Sequence, residues 1–134
     1  AFVFAAMNER IGFTEYVIHA ALPVMTPQMM PFAIFIILSA TEFITGTNWG
    51  MYIIAFPIVI PLAMALDANV TLVVSAVLSA GVFGSHICFY SDATVITSAA
   101  SGCNNFDHAA TQMPYGIIAA VISGIMFLVA GFIF

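Results

Sequence analysis

Charged side chains are absent from four long stretches of this chain: Tyr16 to Thr41, Phe43 to Leu66, Ala68 to Ser91 and His108 to Phe134. Each stretch has room for a helix of about 20 residues, the length that crosses a hydrocarbon core of roughly 30 Å. Composition points the same way. The chain is 63% hydrophobic and 5% charged, whereas soluble domains are about 25% charged. So few polar groups cannot cover a surface in water. The chain is therefore read as an all-α integral membrane protein that crosses the bilayer several times, with lipid as its first partner.

The same pattern excludes other classes. A secretory leader would give way to a polar mature region, but the apolar character here continues to Phe134. With Arg10 as the one basic residue, the chain cannot neutralise a phosphate backbone, so no nucleic-acid partner is expected. Arg10 alone also leaves the membrane orientation open. Cys88 and Cys103, with His86 and His108 nearby, match no common zinc-ligand spacing and are read as free thiols in apolar surroundings. No nucleophile–base pair or cofactor motif stands out, so neither an enzyme nor a resident cofactor is expected. The chain opens without Met on an apolar run, Ala1 to Met7, too short to span. It is read as a fragment, or as a chain that another membrane segment completes.

Along the chain, residues 1–31 read as the end of a span followed by an interfacial segment. Asn8-Glu9-Arg10 marks the interface, and Thr14 to Leu22 forms a short amphipathic helix. Pro23, Pro27 and Pro31 follow, and proline favours helix starts, so a new helix is expected near Pro31. Residues 32–66 contain two apolar arms around a tip at 45–50 rich in Gly and Thr, which predicts a re-entrant helical hairpin. Irregular backbone at membrane depth must be buried in protein or line a watery cavity. Residues 67–102 predict a broken transmembrane helix with an unwound centre near 84–92, the discontinuous element that transporters place at the midplane. Residues 103–113 read as a polar interfacial segment. Pro114 then begins a final span, 114–134.

Asp92 is the leading candidate for ion chemistry. A carboxylate within an apolar stretch is costly when unpaired, so such groups usually face cavities and serve ions or protons. A group that holds either a cation or a proton is the minimal machinery of exchange. The competing reading is that Ser91 or Asp92 caps the half-helix that follows. Thr94, Thr97 and Ser98 are expected to share one helix face and to offer oxygens, unless they bond to their own backbone. In the hairpin tip Gly46 permits the turn, and Thr45, Thr47 and Asn48 supply oxygens. The alternative there is an interfacial turn with Trp49 as an aromatic anchor. Glu42, one turn earlier, is either a second ion or proton ligand or a solvated interfacial carboxylate. His86 and His108, as imidazoles, are candidate proton or pH sensors, or loop histidines held by hydrogen bonds.

These residues also carry a resemblance. The run TGTNWGMYIIAFPIVIPLA, Thr45 to Ala63, resembles the Thr-Gly-Thr-Ser-Trp-Gly hairpin of NhaC-type sodium/proton antiporters. The run FGSHICFYSDATVITSAASGCNNFDHAATQMPYG, Phe83 to Gly116, is similar to that family's Gly-Asp-His … Ser-Asp-Thr-Thr … Cys … His … Thr-Gln-x-Pro-Tyr pattern. The resemblance implies the C-terminal portion of an inverted-repeat transporter of the ion-transporter superfamily, with a hairpin and a broken helix meeting at the substrate site. It assigns that site to Thr45, Gly46, Thr47, Asn48, His86, Ser91, Asp92 and Thr94. His108, Thr111 and Gln112 match the pattern without a defined role. Ser85 stands where the family often has Asp, Ala93 replaces a Thr, and Asn48 replaces a Ser.

Three functions follow as expectations. The first is sodium/proton antiport in a cell membrane, in a bacterial inner or plasma membrane, with Asp92 as the shared carboxylate and the only metal a transported sodium ion. Its partners are Na+, H+, the missing N-terminal half and a second copy in a homodimer. The second, motivated by Ser85, is a cation-coupled carrier of organic anions or amino acids on the same fold. The third is a truncated remnant that transports nothing.

Overall fold

The computed structural model describes residues 6, 7, 10–21, 23 and 25–134, and the side chain of Thr14 is outside that description. The reading of Ala1 to Met7 as the end of a span, and that of Asn8-Glu9, fall largely outside these residues. Among the described residues the chain is helical and contains no strand. The helices are α1 (Phe13–Ala21), α2 (Met30–Thr45), α3 (Asn48–Ala65), α4 (Val70–Ile87), α5 (Asp92–Ser101) and α6 (Asn105–Ile133).

Local chemistry accounts for most of the boundaries. Pro31 sits in the first turn of α2, where its missing N–H has no intrahelical partner to lose. Asn69, Ser91 and Asn104 begin α4, α5 and α6, their side-chain oxygens accepting from the backbone N–H groups of Leu72, Thr94 and Phe106. Gly46 and Gly102 end α2 and α5 in left-handed conformations, with φ of 66° and 65°, which glycine adopts without a Cβ penalty.

α4 is the hub. It packs most extensively on α2, and also on α3, α6 and α5. Val73, Ala76, Val77 and Ala80 on α4 are all completely buried. Phe35 of α2 bridges to the other side of the hub, its ring 5.3 Å from Phe127 of α6 and 6.5 Å from Phe83 of α4.

Among the described residues three helices, α3, α4 and α6, are long and apolar enough to cross a membrane. α2 is apolar but has 16 residues, about 24 Å of helix at 1.5 Å per residue, short of a full crossing. The surface confirms the solvent. α6 buries Ala109, Gly124 and Gly131, while Ile118, Val121, Ile122, Ile125, Met126 and Phe132 are all more than half exposed. A continuous apolar face of that kind belongs against lipid or other membrane helices.

Two boundaries differ from the sequence reading. α4 continues through Gly84, Ser85 and His86 to Ile87, so the interruption is confined to Cys88–Ser91 rather than 84–92. Packing explains this, because Gly84 and Ser85 are buried within the helix against α2 and α5. The final helix begins at Asn105 and passes through Pro114, so the polar stretch read as interfacial forms its first turns. The Asn104 cap sets that start, and tolerance of proline inside a helix is common in membranes.

Candidate functional site

Two interruptions of helix meet in this molecule. The first is the two-residue joint between α2 and α3. There the Gly46 N–H donates to the Glu42 carbonyl at 2.7 Å. A Cβ placed on Gly46 would lie 3.0 Å from the Tyr90 ring and 3.1 Å from Cys88 Sγ, so the joint rests directly on the second interruption. The Tyr90 hydroxyl donates to the Ile44 carbonyl across the same contact. Thr47 begins α3 without a side-chain cap. Thr45 and Thr47 are exposed and Asn48 is half-buried.

The second interruption, Cys88–Ser91, is organised by hydroxyls. Ser91 Oγ accepts from the Thr94 N–H at 3.2 Å and donates to the Ser85 carbonyl. Thr94 Oγ1 donates to that same carbonyl at 3.1 Å and lies 3.0 Å from Ser91 Oγ. Ser85, Ser91 and Thr94 are all buried. Ser91 is therefore the cap of α5. Asp92 is the first residue of α5; it is exposed, and its Oδ1 accepts from the Ala93 N–H at 2.8 Å. Asn105 fastens α6 to the break, its Nδ2 donating to the Phe89 carbonyl while its Oδ1 accepts from Ser98 Oγ at 3.1 Å.

Glu42 lies where α2 crosses α4. Its side chain is 0% exposed, which rules out the solvated interfacial carboxylate. The crossing is close because α4 presents glycine. A Cβ on Gly84 would fall 2.4 Å from Glu42 Cβ, and one on Gly81 would fall 2.2 Å from the Tyr52 hydroxyl. With its amide oriented to suit its neighbours, Asn48 donates to Glu42 Oε1 at 2.6 Å and to the Gly81 carbonyl at 3.2 Å. The Tyr52 hydroxyl donates to the Leu78 carbonyl at 3.1 Å. Glu42 Oε2 has no hydrogen-bond partner among the described residues.

Other sequence candidates lie elsewhere. Thr94 and Ser98 are buried on α5 but Thr97 is exposed, because positions 97 and 98 stand about 100° apart around a helix of 3.6 residues per turn. His86 and Gln112 line a largely apolar cavity of about 690 Å³ between α4 and α6, with Phe35, Phe83 and Tyr115. Thr111 bonds back to the Asp107 and His108 carbonyls at 2.8 and 2.9 Å, and His108 is half-buried in the second turn of α6. Among the described residues no cluster of His, Cys, Asp and Glu is built to hold a metal. Sequence reasoning did not single out Tyr52, Tyr90, Gly81, Gly84 or Asn105. The pairing of Gly81 with Gly84, amid small residues on an apolar helix, was the available signal for close helix approach.

Apolar spans packed around two interruptions and a buried carboxylate define a segment of a helical membrane protein. The profile of the Na+/H+ antiporter family matches residues 1–132, and the chain belongs to that family. It is 32% identical over 123 residues to the malate-2H(+)/Na(+)-lactate antiporter of Bacillus subtilis, covering 92% of this chain and 26% of that protein. It is 28% identical over 115 residues to an uncharacterised Na(+)/H(+) antiporter of Haemophilus influenzae, covering 83% of this chain and 25% of the relative. A further Haemophilus influenzae protein, uncharacterised, is 36% identical over 110 residues, 78% of this chain and 20% of its own length. The chain thus spans about a fifth to a quarter of the curated relatives it matches. No solved structure matches it.

Proposed function

We propose that this chain supplies one half of the ion pathway of a secondary antiporter that exchanges sodium for protons across a cell membrane. The observation that carries the reading is the contact between the Gly46 joint and the Cys88–Ser91 break. In this reading α2 and α3 form a re-entrant hairpin, and α4 and α5 form the broken helix. The remainder of the full-length protein contributes the matching half. The ion site draws on Asp92, Ser91, Thr94, Thr45, Gly46, Thr47 and Asn48.

Hydroxyls and freed carbonyls are hard oxygen ligands that suit an alkali cation, and Asp92 provides a charge that either a cation or a proton can neutralise. Half-helix ends add their dipoles at the same place. Everted vesicles containing the full-length protein are expected to show sodium-induced recovery of an imposed pH gradient, and Asp92→Asn is expected to abolish it. Unchanged exchange in that variant would sink the role of Asp92.

A second reading is favoured by Ser85, which stands where the resemblance leads one to expect a carboxylate, and by the relative named as a malate-2H(+)/Na(+)-lactate antiporter. A less acidic site suits exchange of small organic carboxylates coupled to sodium and protons. Uptake of labelled malate and lactate into proteoliposomes separates the two readings, because simple sodium/proton exchange moves neither solute.

A further inference from the structure

Glu42 stands apart from the hydroxyls at the break. It is fully buried, and Oε2 lacks a hydrogen-bond partner among the described residues. A bare carboxylate in that position is costly unless something neutralises it. The chain's one Lys or Arg residue, Arg10, is exposed and precedes α1. Among the described residues no positively charged group pairs with Glu42, so a proton or a cation brought from elsewhere balances its charge.

The surroundings suit both. The inward atom of the Asn48 amide lies 2.6 Å from Glu42 Oε1 and 3.2 Å from the Gly81 carbonyl. With nitrogen inward, the amide donates to both and supports a bare carboxylate. With oxygen inward, oxygens of Glu42, Asn48 and Gly81 converge from three elements, the set of hard ligands an alkali cation takes. The missing Cβ atoms of Gly81 and Gly84 are what let α4 backbone come this close to Tyr52 and Glu42.

We propose that Glu42, Asn48 and the Gly81 carbonyl form a second site that exchanges a monovalent cation for a proton, with the Asn48 amide turning to match what Glu42 holds. The proposal rests on the antiport reading for its place in a transport cycle. The step balances: the Glu42 O–H bond breaks, the proton leaves to water, and the cation takes up oxygen contacts in its place. Both loaded forms are neutral at Glu42, and the empty form carries one negative charge.

The titratable groups on the elements packed against α2 are few. They are Tyr52 on α3, beside Gly81; His86 on α4, exposed and lining the α6 cavity; and Asp107, His108 and Tyr115 on α6. Across the break stand Cys88, Tyr90 and Asp92.

The test is infrared difference spectroscopy of the purified full-length protein across the neutral pH range, with sodium chloride added against choline chloride. Sodium is expected to remove a protonated-carboxyl band that Glu42→Gln lacks and Asp92→Asn keeps. Asn48→Ala is expected to keep the band but to need about tenfold more sodium, the loss of one good oxygen contact. Glu42→Asp, which keeps the acid one methylene shorter, is expected to show the band with a shifted sodium midpoint, and this guards against misfolding of the Gln variant. A sodium-induced band that survives Glu42→Gln, or vanishes in Asp92→Asn instead, overturns the proposal. So do sodium midpoints unchanged in both Asn48→Ala and Glu42→Asp. The infrared readout is independent of transport. A Glu42 band without sodium/proton exchange in vesicles therefore sinks the antiport reading alone, and exchange without the band sinks this site alone.

Discussion

The two interruptions solve one problem in different ways. A helix that stops leaves carbonyls or N–H groups without intrahelical partners, and each needs a partner elsewhere. At the α4–α5 break the solution is side chains: Ser91 caps α5, and two hydroxyls converge on the Ser85 carbonyl. At the α2–α3 joint the solution is backbone, with Gly46 turning left-handed and donating to Glu42 while Thr47 caps nothing. The carboxylates follow the same division. Asp92 at the hydroxyl-rich break is exposed, whereas Glu42 beside the glycine-built joint is sealed. One carboxylate thus lies at the surface of the packed helices and the other in their core.

The largest effect is expected at the packed side. Gly84→Leu would drive a branched side chain into Glu42, where even a Cβ falls 2.4 Å from Glu42 Cβ and 3.0 Å from the Phe43 backbone nitrogen. Overpacking of that kind costs about 1–3 kcal/mol, with the upper end expected here because backbone is involved. Thermal unfolding of the purified full-length variant in detergent checks it, and an unshifted midpoint would contradict the tight α2–α4 crossing.

A smaller effect separates the two interruptions directly. Ser91→Ala removes a cap and a buried hydrogen bond and is expected to cost about 1–2 kcal/mol. Thr47→Ala removes no capping bond and is expected to change stability by at most about 0.5 kcal/mol. Equal losses from the two substitutions, read by the same unfolding measurement, would erase the contrast.

Much of the fold was legible because membrane physics simplifies sequence. Charge-free windows located the apolar helices, Pro31 announced the start of α2, and the glycine at 46 announced its end. The break was legible as a region but not in its bounds. Gly84 and Ser85 are poor helix formers in isolation, yet they stay helical because α2 and α5 pack on them. Pro114 misleads for a related reason, since the helix is already under way from the Asn104 cap when it reaches the proline. The site was legible as residue types around two motifs. What sequence could not supply was the burial of Glu42, which depends on glycines some forty positions away whose missing side chains admit it. Nor did it show that Tyr90 reaches back to Ile44, a contact between distant segments that no local pattern encodes.

One cross-link tests whether the joint rests against the break. A Cβ at position 46 would lie 3.1 Å from Cys88 Sγ, within reach of a disulfide. The variant Gly46→Cys, with Cys103 and other reactive thiols of the full-length protein replaced by Ser, carries a left-handed strain of about 1–2 kcal/mol but leaves the sulfurs adjacent. Mild oxidation in membranes is expected to produce a disulfide between positions 46 and 88, found by peptide mass spectrometry, and to stop exchange until a reductant restores it. Free thiols at both positions after oxidation, in protein that still transports, would show that the joint and the break do not meet.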